Sequence, residues 1–307
     1  MFIQKRVVNG ITYKYLDHSF RIGKKVKKVS FIINKNKQDY NEKIISRIAK
    51  EKAEYFKSNF QTYFSLKEIT EIETEKLYHQ IFYNLLDKKS KEEIFNEFLQ
   101  LFLANSMELE GSTITPKLAE SIDQKRKIVL PETEILLYNN SKKVLKKLLK
   151  TEFRSVSQFK QFHKEIYKKI FPHSGEFKTL TNTFGYTEKA KTTKPEDVKK
   201  ELKKVLERYK DKKIYPFLKP LYFHLNYQKV HPFTDGNSRL GRILLIVQMF
   251  KLNYPPLMFK GDMSFQIRET LVDSINQNNL DFCRFSLEQY LSTAKKFWRP
   301  MIKKYLF

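Results

Sequence analysis

From about residue 41 to the C-terminus, the apolar residues of this sequence recur at helical spacing. Ile44, Ile45 and Ile48 begin the pattern, which few helix-breaking residues interrupt. One segment breaks it: TLTNTFGYTEKA, residues 179–190, is rich in Thr and aromatic residues around Gly185, which predicts a short β-hairpin. The pattern therefore predicts a mainly α-helical chain with one inserted hairpin. Beyond residue 91 we expect helices at 92–107, 117–128, 133–150, 155–170, 195–210, 216–230, 238–251, 264–277 and 281–305.

The first 37 residues follow a different pattern. Apolar and polar residues alternate through ITYKYLDHSF and KVKKVSFII, with turn signals at Asn9-Gly10 and around Gly23. These residues include ten Lys or Arg and a single acid, Asp17. The alternation predicts a basic β-hairpin or small sheet. We accordingly expect three segments: a basic β-rich extension at 1–40, a helical connector at 41–94, and a functional domain at 95–307.

Composition limits the class of protein. A chain of 307 residues can bury a substantial core, and its net charge of +25 favours acidic partners such as nucleic acid or nucleotide phosphates. A biased genome composition explains the excess of basic residues equally well. Cys283, the single cysteine, excludes an intramolecular disulfide and is expected to be a buried thiol. No apolar run has the length of a signal peptide or membrane span, so we expect a cytoplasmic protein without membrane association.

The stretch HPFTDGNSRLGR, residues 231–242, concentrates groups that can bind phosphate. Asp235, Gly236 and Asn237 form a turn that can cap the following helix, whose first N–H groups make an anion site. Arg239 and Arg242 are three residues apart, so both project from one face of that helix. Guanidinium groups match phosphate oxygens. This stretch therefore predicts a site for nucleotide phosphates.

Two more residues of this stretch can supply chemistry. Asp235 offers a hard oxygen ligand, which suits Mg²⁺ when a nucleotide provides most of the coordination. His231 can reach the same pocket from the loop, and its ordinary pKa suits a general base near pH 7. Together the residues could hold phosphates and deprotonate an attacking hydroxyl.

The same stretch resembles the signature of the Fic family, H-x-F-x-(D/E)-G-N-G-R-x-x-R. The matching residues are His231, Phe233, Asp235, Gly236, Asn237, Arg239 and Arg242. A second stretch, NSMELEGSTIT at 105–115, is similar to the inhibitory motif (S/T)-x-x-x-E-(G/N) of that family, with Ser106, Glu110 and Gly111 in place. Because this second stretch lies upstream of the signature, the sequence resembles the subclass of the family with an N-terminal inhibitory helix. The resemblance covers about residues 95–295.

The resemblance implies a Fic-type helical bundle with three functional parts. These are an inhibitory helix at about 105–111, a flap at about 179–190, and an active-site loop and helix at 231–251. It further implies ATP and Mg²⁺ as ligands, with Asp235 on the metal and with Asn237 and Arg239 on the phosphates. His231 would take the proton from a Ser, Thr or Tyr hydroxyl of a protein substrate that adds a strand to the flap. The product would be a target protein carrying AMP.

Glu110 is expected to silence such an enzyme. A carboxylate that reaches Arg242 would occupy the guanidinium that the γ-phosphate needs, so ATP would bind weakly or in an unproductive position. In some relatives the same Glu is implicated in removing AMP, which leaves the reverse reaction open.

Two departures from the family pattern leave alternatives open. Ser238 stands where the family usually has Gly, and relatives with Lys at that position transfer phosphate, so the group transferred stays open. Lys178 replaces an expected Arg.

A regulatory protein that binds nucleic acid through the basic N-terminus and keeps a weakly active Fic core is a further alternative. The target, the modified side chain, a homo-oligomeric state and the signal that relieves inhibition also stay open.

Overall fold

The structure, a computed structural model, describes residues 2–34, 38–186, 189–278 and 280–306. The predicted mainly α-helical class with a small N-terminal antiparallel sheet is confirmed. The chain divides into two compact units. The first comprises the described residues within 1–91, 213–215 and 294–307, and the second those within 92–212 and 216–293.

The first unit begins with a three-stranded antiparallel sheet in the order β1-β2-β3. Its strands are β1 (Phe2–Val8), β2 (Ile11–Ile22) and β3 (Lys25–Ile32). Leu16, Phe20 and Phe31 are buried on one face of the sheet. Of the two predicted alternatives, a basic β-hairpin or a small sheet, the structure has the sheet, with three strands. Residues 1 and 35–37 of the predicted segment lie outside the described residues.

Helices complete the first unit. They are α1 (Gln38–Asn59), α2 (Leu66–Tyr78) with a π-helical turn at His79–Tyr83, a second π-helical turn at Ala294–Trp298, and α12 (Arg299–Leu306). Arg299 Nε donates to Glu75 Oε2 at 2.7 Å. Residues 294–306 therefore belong to this unit, whereas we expected them to belong to the domain at 95–307 that contains the 231–242 stretch. Helical periodicity reports an apolar face but does not tell which core that face joins.

The second unit is a helical bundle with a small hairpin. Its helices are α3 (Lys88–Glu108, from Glu92 onward), α4 (Pro116–Asp123), α5 (Glu132–Lys150), α6 (Val156–Ile166), α7 (Val198–Lys210), α8 (Leu218–Val230), α9 (Asn237–Lys251), α10 (Ser264–Asn276) and α11 (Asp281–Thr293). Short 3₁₀ turns at Pro195–Asp197 and Gly261–Met263 precede α7 and α10. The predicted helices at 117–128 and 155–170 end early, at Asp123 and Ile166, and the turns that follow contain Lys125 and Lys169 with positive φ angles of 54° and 66°.

Helix α9 lies at the centre of the second unit. Every residue from Leu240 to Met249 is buried, and the helix packs against α5, α6 and α8. The six-residue loop 231–236 joins α8 to α9, so it is fixed at the junction of two packed helices. The 231–242 stretch therefore begins at the junction of two packed helices.

The predicted hairpin is a short ladder. Strand β4 (Thr183–Phe184) pairs with β5 (Ala190–Lys191) in antiparallel register, and residues 187 and 188 of the predicted segment lie outside the described residues. Among the described helices, none is long and apolar enough to cross a membrane.

Candidate active site

The loop between α8 and α9 is held by side chains packed beneath it. Asn237 closes the loop, because its Oδ1 accepts from the backbone N–H of Phe233 at 3.0 Å and its Nδ2 donates to the carbonyl of Phe233 at 2.8 Å. Gly236 has φ +78°, and a Cβ there would overlap the ring of Tyr167. A side chain at position 236 would therefore force the loop away from its support.

His163 supports the same loop from below. Its ring stacks on Phe233 with centroids 3.8 Å apart. Its Nδ1 accepts from the backbone N–H of Gly175 at 2.9 Å, so the proton is on Nε2, which donates to the carbonyl of Asp235 at 2.9 Å. Burial lowers the pKa of His163 to about 4, which keeps this tautomer neutral at pH 7. His163 therefore shapes the site without facing it.

His231 is placed by backbone and stacking. It ends α8 in the left-handed region with φ 47°, and its ring stacks on Phe184 of β4 with centroids 5.2 Å apart. Burial lowers the pKa of His231 to about 4, and the cation of Lys178 acts in the same direction. The imidazole is therefore neutral at physiological pH and can accept a proton.

Lys178 anchors the hairpin to the loop. Its buried Nζ donates to Asn182 Oδ1 at 2.9 Å, to Thr192 Oγ1 at 2.7 Å and to the carbonyl of Val230 at 3.2 Å. Asn182 and Thr192 flank β4 and β5, and Val230 immediately precedes the histidine of the motif. One ammonium thus connects the base of the hairpin with the end of α8.

Arg242 is buried and directed by α3. Its Nε donates to Ser106 Oγ at 2.9 Å, its Nη2 donates to the carbonyl of Ser106 at 2.6 Å, and its Nη1 donates to Glu110 Oε1 at 2.8 Å. Ser106 thus fixes the plane of the guanidinium from its buried side. The contact expected between Glu110 and Arg242 is present.

Glu110 bridges two guanidiniums. Its Oε2 accepts from Arg268 Nη2 at 3.2 Å, on the opposite side from Arg242. Burial acts to raise the pKa of Glu110, but the guanidiniums of Arg242, Arg239 and Arg268 outweigh burial and hold the pKa below its ordinary value. The carboxylate is therefore charged at neutral pH.

The segment carrying Glu110 is not helical throughout. Helix α3 ends at Glu108, and Gly111 turns the chain with φ +84°. Glu110 thus projects from the turn after the helix, whereas the prediction placed residues 105–111 in the helix itself. The sequence pattern did not distinguish the last helical turn from the turn that follows, because hydrogen bonds from Glu110 to Met107 and from Gly111 to Glu108 continue the spiral.

The motif residues converge on one cavity of about 200 Å³ at the start of α9. Predicted residues that line it are Glu110, His231, Asp235, Gly236, Asn237, Ser238, Arg239 and Arg242. Arg239 Nη1 donates to the hydroxyl of Tyr167 at 3.1 Å. The amide of Asn237 is buried and bonded to Phe233, so its side chain shapes the loop, and its contact with phosphate stays a prediction.

The residues fit a magnesium ion that a nucleotide would largely coordinate. Asp235 is exposed at the cavity, and its Oδ1 accepts from the N–H of Gly236 at 2.6 Å. Among the described residues, no three His, Cys, Asp or Glu side chains cluster in a way that could hold a metal. One carboxylate plus phosphate oxygens is a usual ligand set for Mg²⁺.

Comparison with protein families then identifies the domain. Residues 153–249 match the model of the Fic/DOC family. The chain contains a Fic domain. The matched range includes His163, the hairpin and the whole 231–242 motif, so the residues that shape the cavity from α6 to α9 lie inside it. The turn that carries Glu110 lies upstream of the matched range.

One relative agrees with this assignment. The chain is 24% identical over 196 residues to the protein adenylyltransferase Fic of Nematostella vectensis, a match that covers 59% of this chain and 43% of that relative. The chain thus spans less than half the length of this relative.

Solved structures share the fold. A Fic domain containing signalling protein from Bacteroides thetaiotaomicron has a TM-score of 0.66 at 17% identity, covering 77% of this chain and 97% of that one. Fic-1 from C. elegans has a TM-score of 0.67 at 17% identity, covering 87% and 86%. The predicted Fic-type fold is confirmed.

Three residues at the cavity or beneath it were not predicted from the sequence. Arg268 on α10 contacts Glu110, Tyr167 contacts Arg239 and lies against Gly236, and His163 holds Asp235. None has a spacing from the motif that indicates its role, because Arg268 lies on α10 and the other two lie on or directly after α6.

Proposed function

We propose that this chain is a self-inhibited protein adenylyltransferase that transfers AMP from ATP to a Ser, Thr or Tyr hydroxyl of a target protein. One observation carries the proposal: a neutral imidazole and several guanidiniums face one cavity at a helix N-terminus, and a carboxylate occupies two of the guanidiniums. The Fic family match and the adenylyltransferase relative support it.

Each residue has a role in this reaction. The first-turn N–H groups of α9 and Arg239 would bind phosphates, and Asp235 would hold Mg²⁺, which supplies charge neutralisation when bound. His231 accepts the proton of the attacking hydroxyl. The hydroxyl oxygen bonds to the α-phosphorus of ATP as the bond to the β-phosphate oxygen breaks, so pyrophosphate leaves and AMP stays on the target. The hairpin would bind the target segment as an added strand.

Glu110 explains the self-inhibition within this proposal. It occupies Nη1 of Arg242, and Ser106 occupies Nε and Nη2, so the guanidinium has few donors left for a phosphate. The cavity of about 200 Å³ is small beside the roughly 300–1,000 Å³ usual for ligand pockets. Removal of the Glu110 side chain would both free the guanidinium and enlarge the cavity.

The group transferred is tested by mass. Purified Glu110→Gly protein is incubated with ATP and Mg²⁺, and the intact protein is weighed. The proposal expects the mass increment of AMP and release of pyrophosphate. An increment of phosphate would instead support the alternative raised by Ser238, a Fic enzyme that transfers another group. Incubating the AMP-modified protein with wild type and Mg²⁺, without ATP, tests removal of AMP.

The pH dependence of transfer should report the buried imidazole. Because the pKa of His231 is lowered to about 4, the base form is present above about pH 5 and is lost as the pH falls through 4. We expect the rate of Glu110→Gly at saturating ATP to be flat from pH 8 to about 5 and to fall below it. A midpoint near the ordinary value of 6.5 would contradict a buried base.

A second candidate function rests on the N-terminal sheet. Residues 2–34 carry eight Lys or Arg, and their one acid, Asp17, is already paired with Arg6 at 3.1 Å. Such a surface can bind nucleic acid phosphates with steep salt dependence. The function would then be that of a regulatory protein with a weakly active Fic core.

This candidate predicts salt-dependent binding of duplex DNA. In anisotropy titrations, replacing the exposed Lys5, Lys14, Lys25 and Lys28 by Gln should weaken binding about tenfold or more at low salt, since each phosphate contact adds to affinity. The matched control replaces the exposed Lys199, Lys200, Lys203 and Lys204 of α7 by Gln. Absence of binding by wild type, or equal losses in both variants, would contradict the candidate.

A further inference from the structure

Arg268 lies where the motif residues meet, although it belongs to α10 and to no recognised motif. Its side chain is about one third exposed and lines the cavity. Glu110 accepts from Arg268 with one oxygen and from Arg242 with the other, at 3.2 and 2.8 Å. One carboxylate therefore spans a gap between guanidiniums of α9 and α10.

We propose that Arg268 is a phosphate-binding residue of this site, and that Glu110 blocks it together with Arg242. This inference rests on the proposed function and deepens it, since it adds a third guanidinium to the two of the sequence motif. In this assignment, the carboxylate of Glu110 occupies the position that one anionic group of the nucleotide would take. Arg268 would contact the phosphates beyond the α-phosphate.

The charge of the cavity supports this assignment. Among the described residues that line it, Arg239, Arg242 and Arg268 carry positive charge, and Glu110 and Asp235 carry negative charge. Without Glu110, three guanidiniums face one carboxylate in a partly buried space. Guanidiniums that line one cavity repel one another, and an anion bound between them offsets that repulsion. A polyphosphate has several charged oxygens that can bridge guanidiniums, as the two oxygens of Glu110 do.

The guanidinium of Arg268 is also held in position before any ligand arrives. Its central carbon lies 4.6 Å from the ring centroid of Tyr186, in the turn after β4. The hydroxyl of Tyr186 is 2.9 Å from Ser264 Oγ, and Ser264 Oγ donates to the carbonyl of Leu109 at 3.1 Å. Stacking on a bonded ring restricts a long side chain, so less conformational entropy is lost when it binds an anion.

A purely structural role makes a different prediction. If Arg268 served only to hold Glu110, it would have no function once Glu110 was absent. The two roles therefore separate in the Glu110→Gly background, where no carboxylate occupies either guanidinium.

The experiment compares nucleotide affinities by calorimetry with Mg²⁺ present. It uses Glu110→Gly and the double variant Glu110→Gly/Arg268→Gln, each titrated with a non-hydrolysable ATP analogue and with AMP. We expect the second substitution to lower the affinity for the triphosphate analogue about tenfold or more, because one charge-assisted hydrogen bond is lost. The affinity for AMP should fall less than about twofold. Arg268→Lys should recover part of the triphosphate affinity, because it keeps the charge but loses the fork.

The control is Arg126→Gln in the same background, an exposed arginine outside the cavity, which should leave both affinities unchanged. Equal triphosphate affinity with and without Arg268 would overturn the assignment and leave the proposed function intact. Equal losses for AMP and the triphosphate would also overturn it, as they indicate a disturbed fold. If Glu110→Gly bound neither nucleotide, both this inference and the proposed function would fail.

Discussion

Replacing Glu110 by glycine is expected to raise the rate of self-modification with labelled ATP about tenfold to a hundredfold above wild type. The side chain holds Arg242 and Arg268 in charge-assisted hydrogen bonds, each worth about 1.5–3 kcal/mol, and every 1.4 kcal/mol is about tenfold in equilibrium. Once the side chain is removed, both guanidiniums can bind the phosphates of ATP. The measurement is transfer of labelled AMP under single-turnover conditions, at ATP concentrations from far below to far above saturation.

Two further variants make this result specific. Glu108→Gly introduces the same backbone change two residues earlier, at an exposed position of the last turn of α3, and should leave the rate near wild type. Glu110→Gln keeps the shape and one acceptor oxygen but removes the charge, so its rate should lie between wild type and Glu110→Gly. Equal rates for wild type and Glu110→Gly would remove Glu110 from the mechanism.

His231→Ala in the Glu110→Gly background is expected to lower the transfer rate by about 10²–10⁴, the contribution usual for a positioned general base. Affinity for ATP should change little, because the groups placed around the phosphates are guanidiniums and backbone N–H groups of α9. Rapid-quench measurement of AMP transfer gives the rate, and calorimetry with a non-hydrolysable analogue gives the affinity.

The control for this variant is His173→Ala, which removes an exposed imidazole of the same unit. It should leave both the rate and the affinity unchanged. Retained transfer by His231→Ala would show that another group takes the proton. Loss of rate and affinity together would indicate that the loop after α8 has collapsed, and would not support a general base.

Much of this site could be predicted because its residues lie on one short stretch of chain. His231, Asp235, Arg239 and Arg242 follow one loop and the first turns of α9, so their spacing alone brings them to one end of a helix. Glu110 is distant in sequence, and only the resemblance to a family motif linked it to Arg242. The structure places the two side chains in contact.

Other residues could not be predicted, because packing between helices decides their partners. Arg268 is one of several basic residues on amphipathic helices, and nothing in its neighbourhood distinguishes it until α10 lies beside Glu110. Lys178 was read as a departure from an expected Arg. Its three acceptors come from both sides of the hairpin and from α8, so its anchoring role appears only in the fold.

Asn237 illustrates a different limit. An amide beside a phosphate motif is a reasonable ligand from sequence, and the family resemblance assigned it that role. In the structure both ends of the amide bond to the backbone of Phe233, which fixes the loop that presents His231 and Asp235. Residue type shows which bonds a side chain can make, but the fold determines where they are made.

The electrostatics of Glu110 limit how such an enzyme could be activated. A glutamate with a lowered pKa stays ionised when a cell acidifies mildly, and a pair shielded from solvent responds weakly to dissolved ions. Neither acid nor salt is therefore an efficient trigger. Within the proposed function, activation would therefore require the turn at Gly111 to move, so that the carboxylate leaves Arg242 and Arg268.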